Sequence, residues 1–132
     1  MTVKDAIKKS GTQEALSGAV MDAADQMIQK GEKVLHAVIA NCNVDDRWTS
    51  GVLIVTTHRV LFCSEAVSQQ LLLGDCVGLG DIAGKAPGTM KISAERSAII
   101  VELDQERLAA LQAVILDAVA DYPNQPPVDF RP

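Results

Sequence analysis

The side chains best suited to chemistry in this sequence are three thiols and two imidazoles, at His36, Cys42, His58, Cys63 and Cys76. A cysteine beside a histidine can form a nucleophile and its base, and clusters of both can bind a metal ion. Here the spacing of the histidines fits no metal motif, and no two cysteines form a Cys-x-x-Cys pair. We therefore expect buried, reduced cysteines, an exposed His58 at a hairpin tip, and His36 on the surface or in the core. A cysteine–histidine nucleophile is the less favoured alternative, because nothing in the sequence marks a thiol as activated.

The glycine-rich stretch GLGDIAGKA, residues 78–86, invites comparison with a phosphate-binding loop. Such a loop needs four residues between its first glycine and the Gly-Lys pair, and then a serine or threonine. Here Leu79 occupies the place of that glycine, Ala86 replaces the hydroxyl residue, and no helix is predicted to follow. Turns and bulges in a curved strand explain these glycines better.

Paired acids could serve acid–base catalysis, and two pairs occur, Asp45 with Asp46 and Asp75 with Asp81. Exposed loop carboxylates are the ordinary explanation for both pairs. Since the sequence contains no evident nucleophile–base or metal-binding set, we expect a protein that is not an enzyme and needs no cofactor.

The composition is typical of one folded domain in a reducing compartment. The 132 residues are 48% hydrophobic and 22% charged, with a net charge of −5, a balance found in globular domains. The negative charge disfavours nucleic-acid binding and general attraction to anionic lipid. The N-terminus has no signal-peptide core, and no apolar run approaches the length of a membrane span. We therefore expect a cytoplasmic location, no nucleic-acid partner, and weak or no membrane binding.

Hydrophobic periodicity predicts a helix, then about seven short strands, then a second helix. The first helix is predicted over residues 12–30, after a loose segment at residues 1–11 in which Val3 and Ile7 could extend a helix by one turn. The strands are predicted over residues 33–42, 51–56, 59–64, 69–73, 76–85, 89–95 and 97–103, with a polar loop at 43–50. Short links between the strands favour antiparallel hairpins. Asp104 is predicted to cap the last helix and Pro123 to end it. The buried stripe of that helix is predicted to be Leu108, Leu111, Ile115, Val119 and Tyr122.

The stretch GVLIVTTHRVLF, residues 51–62, is apolar on both faces of its predicted hairpin. Alternate strand residues face opposite sides, so Val52 and Ile54 point one way and Leu53 and Val55 the other. A sheet with one face in water would alternate apolar and polar residues instead. The second face must therefore be covered, either by the first helix of the same chain or through self-association. The residues expected at this contact are Leu16, Val20, Ala23 and Met27 of the helix and Leu53 and Val55 of the strand.

Several short motifs occur in a recognisable order. They are GEKV at residues 31–34, the hairpin at residues 51–62, LGDI at 79–82 and GTMKI at 88–92. In the hairpin, Thr56, Arg59 and Phe62 match the pattern Thr-x-x-Arg-apolar-apolar-Phe. Together they resemble the bacterial pleckstrin-homology-like (PH-like) domains, relatives of the PH and GRAM folds, over residues 31–122. The resemblance implies an α+β, mainly β fold, in which a bent antiparallel sheet of about seven strands forms a partly open barrel. A C-terminal helix caps it. Residues 1–30 would be an additional amphipathic helix and residues 123–132 a proline-rich, flexible tail.

The resemblance also implies a function without catalysis, and many bacterial members form symmetric oligomers. We expect an interaction or scaffold module that self-associates and binds a protein partner. The alternative is a membrane-surface adaptor that binds anionic lipid headgroups through the first hairpin loop. The candidate contact residues are Lys33, Arg47, Trp48 and Arg59. Two acids in that loop oppose a polyphosphate, so a structural salt bridge beside the hairpin turn is the favoured role of Arg59. Trp48 could anchor in a membrane interface or a partner pocket, or pack locally over the end of the barrel.

Overall fold

The computed structural model describes residues 2–10, 18–75, 77–84 and 87–130. The helices are α1 (Val3–Ser10), α2 (Gly18–Met27) and α3 (Gln105–Asp121). The strands are β1 (Val34–Val44), β2 (Arg47–Thr56), β3 (Arg59–Cys63), β4 (Ser68–Leu72), β5 (Gly78–Leu79), β6 (Gly88–Ser93) and β7 (Ala98–Leu103). Single 3₁₀ turns follow β4 at Leu73–Asp75 and α3 at Tyr122–Asn124.

The seven strands form one antiparallel sheet in the order β4-β3-β2-β1-β7-β6-β5. The sheet is curled into a half-barrel, with α3 against its inner face and α1 and α2 against its outer face. Gly51 stands where β2 and β3 approach most closely, because a Cβ there would collide with the carbonyl of Cys63 and the ring of Phe62. The predicted fold class, a mainly β, PH-like bent sheet with a C-terminal helix and additional N-terminal helices, is confirmed.

The inner core lies between α3 and the concave face of the sheet. Leu108, Leu111 and Ile115 are fully buried there, in one cluster with strand residues that include Leu53 and Phe62. Burying each such side chain stabilises the fold by roughly 1.5–3 kcal/mol. This cluster therefore fixes α3 across the open end of the sheet.

The predicted start of α3 is correct, and its predicted stripe is correct in part. Asp104 caps the helix, since its Oδ1 accepts a hydrogen bond from the backbone N–H of Arg107 at 2.9 Å. Near the end of the helix, Ala118 is buried, whereas Val119 and Tyr122 are half-buried. The small Ala118 lies nearest the sheet, and the larger side chains pack around the edge of the core.

The outer core lies between the N-terminal helices and the convex face of the sheet. Val3, Ile7 and Val20 from the two helices are buried in one cluster with strand residues that include Val52 and Ile54. The apolar residues on this second face of the hairpin are thus covered by helices of the same chain. A hydrogen bond from the backbone N–H of Val3 to the side-chain Oδ1 of Asp25 (2.9 Å) joins the two helices.

The structure corrects which strand residues meet the helices. Leu53 and Val55 lie on the inner face against α3, and their neighbours Val52 and Ile54 meet α1 and α2. The sequence could not show which side of the strand meets the N-terminal helices, because its odd-numbered and its even-numbered residues are both apolar. Among the predicted helix residues, Val20 is buried, Met27 is half-buried and Ala23 is exposed. Leu16 lies outside the described residues.

The N-terminal helix prediction also needs correction. The described structure contains α1 in the segment predicted to be loose, and α2 ends at Met27, three residues before the predicted end at Lys30. The signal for α1 was a reciprocal cap, because Thr2 Oγ1 accepts from Asp5 N–H and Asp5 Oδ2 accepts from Thr2 N–H. Residues 11–17, which the prediction placed inside one long helix, lie outside the described residues.

Two strand predictions differ from the structure. Residues 43–50 continue β1 and β2 instead of forming a loop, with Asp45 and Asp46 as a two-residue turn. Both aspartates have positive φ, 53° and 64°, the conformation of a type I′ hairpin turn. In the segment predicted as a strand at 76–85, the structure has the two-residue strand β5 at Gly78–Leu79 and a single β-bridge from Ala83 to Thr89, and residues 76 and 85 lie outside the described part of the chain.

The C-terminal segment packs back onto the domain instead of projecting from it. Pro126, Val128 and Phe130 contact residues near the β2–β3 turn, as described below. Within the described residues, no helix combines the length and apolarity needed to cross a bilayer.

Candidate functional site

The far end of the β1–β2 hairpin, residues 43–50, is what we call the Trp48 arm; Val44 within it is buried in the inner core, whereas residues 45–48 are exposed. β3 pairs with β2 only from Val52 to Val55, so among the described residues Arg47–Ser50 of β2 pair with β1 alone. Trp48 is 48% exposed, although tryptophan is usually well covered. The arm therefore presents a large aromatic side chain at a position that the domain core does not use.

The surroundings of Trp48 are mixed in polarity. Asn43 of β1 pairs directly with Trp48. On the neighbouring strands, Asn43 pairs with Ile100 of β7, and Ile100 pairs with Lys91 of β6. Asn43 and Ile100 are half-buried and Lys91 is exposed. An apolar ring with polar and charged neighbours is the usual composition of a protein-contact hot spot and its rim.

The charges at the tip of the arm are of both signs. Arg47 is exposed next to Trp48, and Asp45 and Asp46 occupy the turn beside it. Two carboxylates at this distance along the chain oppose the approach of a polyphosphate or an anionic bilayer. The tip thus combines an exposed aromatic ring with charges of both signs.

The four residues predicted as ligand contacts do not form one site. Arg47 and Trp48 begin β2, whereas Lys33 and Arg59 lie at its other end, where Lys33 N–H donates to Thr57 Oγ1 at 3.1 Å. The nine steps from Arg47 to Thr56 span about 30 Å at the rise of a strand. The two pairs therefore cannot contact one headgroup.

Arg59 is engaged in a buried network. Its Nε and Nη2 each donate to Glu32, to Oε2 and Oε1, at 2.8 Å, and the two side chains are 5% and 0% exposed. Nη1 donates to Gln70 Oε1 at 2.8 Å and Nη2 to the carbonyl of Met27 at 2.6 Å. The ring of Phe130 lies 4.0 Å from the guanidinium carbon. The salt bridge expected beside the hairpin turn is present, and the guanidinium would have to leave it before contacting a lipid.

The ionisation of Glu32 reflects this network. Burial alone would raise its pKa, but hydrogen bonds from Arg59, from the Thr56 hydroxyl (2.6 Å) and from the backbone N–H of Gln29 outweigh burial and lower the pKa. Glu32 is thus charged at neutral pH and ties the end of α2 to the β2–β3 turn.

His58 is buried, not exposed as predicted. Only 2% of it is accessible, because the C-terminal segment covers it. Since a carbonyl oxygen can only accept, the Nε2–H donates to Pro126 O (2.6 Å), and in the neutral ring Nδ1 accepts from the Thr57 hydroxyl (2.7 Å). The rings of Tyr122 and Phe130 contact it edge-on, with centroids 6.0 Å away in each case. The imidazole is therefore a structural link between the hairpin turn and the tail.

Sequence reasoning missed Glu32 and Phe130 as partners of Arg59. Glu32 was visible only as one residue of the GEKV motif, and a lone acid before a strand gives no sign of burial. Phe130 stands among prolines after the last helix, where apolar residues are commonly solvent-exposed. The signal available was that Phe130 is one of only two phenylalanines in an aromatic-poor chain.

The two described cysteines and His36 all have pKa values shifted by burial. Burial raises the pKa of the Cys42 thiol to about 12 and also raises that of Cys63, so both thiols are protonated at neutral pH. Burial lowers the pKa of His36, which lines a cavity of about 270 Å³ between α1, β1 and α3. Among the described residues, no three His, Cys, Asp or Glu side chains are grouped to hold a metal ion.

Comparison with known proteins bears on the fold. No protein-family model matches the chain, and no curated protein sequence matches it. The crystal structure of the C-terminal domain of an unknown protein from Leishmania infantum has a TM-score of 0.55 and 16% identity, over 68% of this chain and 87% of that one. The crystal structure of N-terminally truncated linker-DH/PH domains of p115-RhoGEF has a TM-score of 0.56 and 11% identity, over 90% of this chain and 39% of that one. At such identities the likeness is one of fold alone, and the fold of this chain is PH-like.

Proposed function

We propose that this chain is a non-catalytic, PH-like interaction module that binds a protein partner through the Trp48 arm. The observation that carries the proposal is Trp48 itself, 48% exposed on a part of β2 that pairs with β1 alone among the described strands. A tryptophan in the centre of an interface commonly supplies 2 kcal/mol or more of binding energy (an order-of-magnitude figure, about 2–4). The exposed half of the Trp48 side chain, by contrast, gains nothing for the fold of a monomer.

A binding role is also favoured by how the reactive groups are used. Cys42 and Cys63 are buried and protonated. The hydroxyl, carboxylate and guanidinium groups near the β2–β3 turn are all engaged with one another. Asp104, beside the cavity that contains His36, is engaged in capping α3. Because these groups are engaged within the fold, we propose that the protein acts through its exposed surface and is not an enzyme.

Photo-crosslinking tests the proposal directly. A photoreactive amino acid at Ser50, exposed on the same face as Trp48, should give a discrete crosslink to a partner protein in extracts of the source cells. Trp48→Ala should reduce that crosslink about tenfold or more. The matched control is Leu116→Ala, which removes another exposed apolar side chain, 55% accessible on α3, and should leave the crosslink unchanged.

Two results would contradict the proposal. One is a crosslink equally strong in the Trp48→Ala protein. The other is a crosslink that disappears equally in the Leu116→Ala protein. Binding to anionic vesicles is the lipid alternative, and the separation of Arg47 from Lys33 and Arg59 disfavours it. We expect no salt-sensitive co-sedimentation with phosphatidylserine vesicles, and co-sedimentation abolished by Arg47→Glu would favour the alternative instead.

Family and location are part of the same proposal. The motif order at residues 31–92 supports membership of the bacterial PH-like domains, in keeping with the fold. The two described cysteines, Cys42 and Cys63, are unpaired thiols, which supports a reducing compartment such as the cytoplasm.

A further inference from the structure

We propose that two copies of this chain associate edge to edge through β4, forming one continuous antiparallel sheet about a two-fold axis at Gln70. This goes beyond partner binding at the Trp48 arm, because it uses the opposite border of the sheet. It also places self-association away from the convex face, which α1 and α2 already cover within the chain.

The hydrogen bonds at the two ends of β4 fix which backbone groups face outward. Ser64 N–H donates to Val67 O at 2.9 Å, and Leu73 N–H donates to His58 O at 3.0 Å. In an antiparallel ladder, alternate residues direct both N–H and C=O toward the same neighbour. The residues bonded toward β3 are therefore Val67, Gln69, Leu71 and Leu73. The residues whose N–H and C=O point to the free edge are Ser68, Gln70 and Leu72.

This edge lacks the features that normally prevent pairing. Among the described residues β4 is the outermost strand on its side, and Ser68 and Gln70 are exposed. Its sequence, SQQLL, contains no charge and no proline, which are the usual protections of an edge strand. The opposite border is protected by shortness, because β5 has only two residues. The β4 edge is thus the longer of the two strand edges available for pairing with another strand.

The edge is complementary to itself. In an antiparallel pair centred on Gln70, Ser68 of one copy faces Leu72 of the other, and Gln70 faces Gln70. Every residue in these pairs is one whose N–H and C=O point outward, so each pair can exchange both of its backbone hydrogen bonds. No charged side chain faces a like charge on the axis, and Gln70 is already fixed through its bond to Arg59.

The groove beside the edge also fits a second copy. A cavity of about 320 Å³ runs along Gln70–Leu72 and is also lined by Asp75, Glu95 and Arg96. A two-fold axis places two such grooves beside each other, so Arg96 of one copy can lie near the two acids of the other and offset their repulsion.

Hydrogen exchange combined with sedimentation tests this inference. In a concentrated sample of the full chain, the amides of Ser68, Gln70 and Leu72 should become protected, and on dilution they should exchange about tenfold or more faster. The amides of Gln69 and Leu71 should stay protected at both concentrations. Sedimentation should show the corresponding dimer and its dissociation.

Variants of Ser68 distinguish association through the β4 edge from association through other surfaces. Ser68→Pro removes an N–H that faces solvent in the monomer and should weaken the dimer about tenfold or more, because symmetry removes the bond twice. If that variant does not fold, Ser68→Lys blocks the edge by charge alone. Its control, Ala113→Lys, adds the same charge on the exposed face of α3 and should leave the dimer intact.

The outcomes also distinguish this inference from the proposed function. Trp48→Ala should leave the dimer unchanged, and Ser68→Lys should leave the Ser50 crosslink unchanged. The inference is overturned by a chain that stays monomeric at every concentration, by a dimer whose Gln70 amide exchanges freely, or by a dimer that Ala113→Lys disrupts and Ser68→Lys does not. Protection of the edge that requires another protein would overturn it as well, in favour of a foreign strand.

Discussion

At the scale of single residues, the buried ion pair between Glu32 and Arg59 stabilises the end of the molecule that contains the β2–β3 turn. Arg59→Met should lower the free energy of unfolding by about 3–5 kcal/mol, because it leaves the buried Glu32 carboxylate without its main partner. Urea denaturation measures the change. The control is Lys4→Met, which breaks the exposed ion pair with Asp22 (3.3 Å) and should cost about 1 kcal/mol or less. Equal losses in the two variants would show that the buried pair is not special.

The same pair predicts how stability depends on pH. The folded-state pKa of Glu32 lies below its ordinary value of 4.5, so the unfolded chain binds a proton more readily than the folded chain does. The stabilisation is therefore present at neutral pH and is lost as the pH falls below about 4.5, through the folded-state pKa. Between about pH 5 and pH 3 the wild type should lose more free energy of unfolding than Glu32→Gln. Parallel curves for the two proteins would contradict this assignment.

At the scale of single residues, the sequence identified the roles of Asp104 and Arg59 but not their full surroundings. A helix cap is local and can be predicted, because Asp104 and the N–H of Arg107 are three residues apart. Glu32 and Phe130 reach Arg59 from 27 and 71 positions away along the chain, and only the folded topology brings them together. His58 was predicted exposed for the same reason, since nothing local indicates that the tail covers it.

At the scale of elements, the C-terminal segment packs across the β2–β3 turn and contacts His58 and Arg59. Phe130→Ala should lower the free energy of unfolding, because it removes the ring that covers Arg59 and contacts His58. The coupling energy between Phe130→Ala and Arg59→Met, measured by denaturation of the two single variants and the double variant, should be about 0.5–2 kcal/mol. Additive effects would show that the ring and the guanidinium do not interact in solution.

The elements that the sequence predicted well are those with one clear period. β6 alternates Met90 and Ile92 against Lys91, and α3 repeats Leu108, Leu111 and Ile115, so both were located within a residue or two. The Trp48 arm was missed because its polar side chains resemble a loop, although backbone pairing with β1 holds it as a strand. Two aspartates can adopt the left-handed conformation and reverse the chain in two residues. The turn was not predicted, because it lacks the glycine that usually marks a two-residue hairpin turn in a sequence.

At the scale of the whole molecule, the chain is a sheet covered on both faces. The two-sided apolar pattern at residues 51–56 correctly predicted that both faces would be buried, and this is the clearest global signal in the sequence. It did not indicate which residues met which helix. Because α1 and α2 cover their part of the convex face within the chain, the contacts that we propose lie elsewhere, at the Trp48 arm and at the β4 edge.

The most direct test of this arrangement is an isotope-filtered NOE measurement on a mixture of labelled and unlabelled full-length chains. The methyl groups of Ile7 and Val20 share one cluster with those of Val52 and Ile54, and methyl groups in van der Waals contact give strong NOEs. We predict that these NOEs arise only within single chains, at concentrations where the protein is a monomer and where it is a dimer. NOEs between a labelled and an unlabelled chain at these methyl groups would contradict the account, because the N-terminal helices would then cover a neighbouring copy.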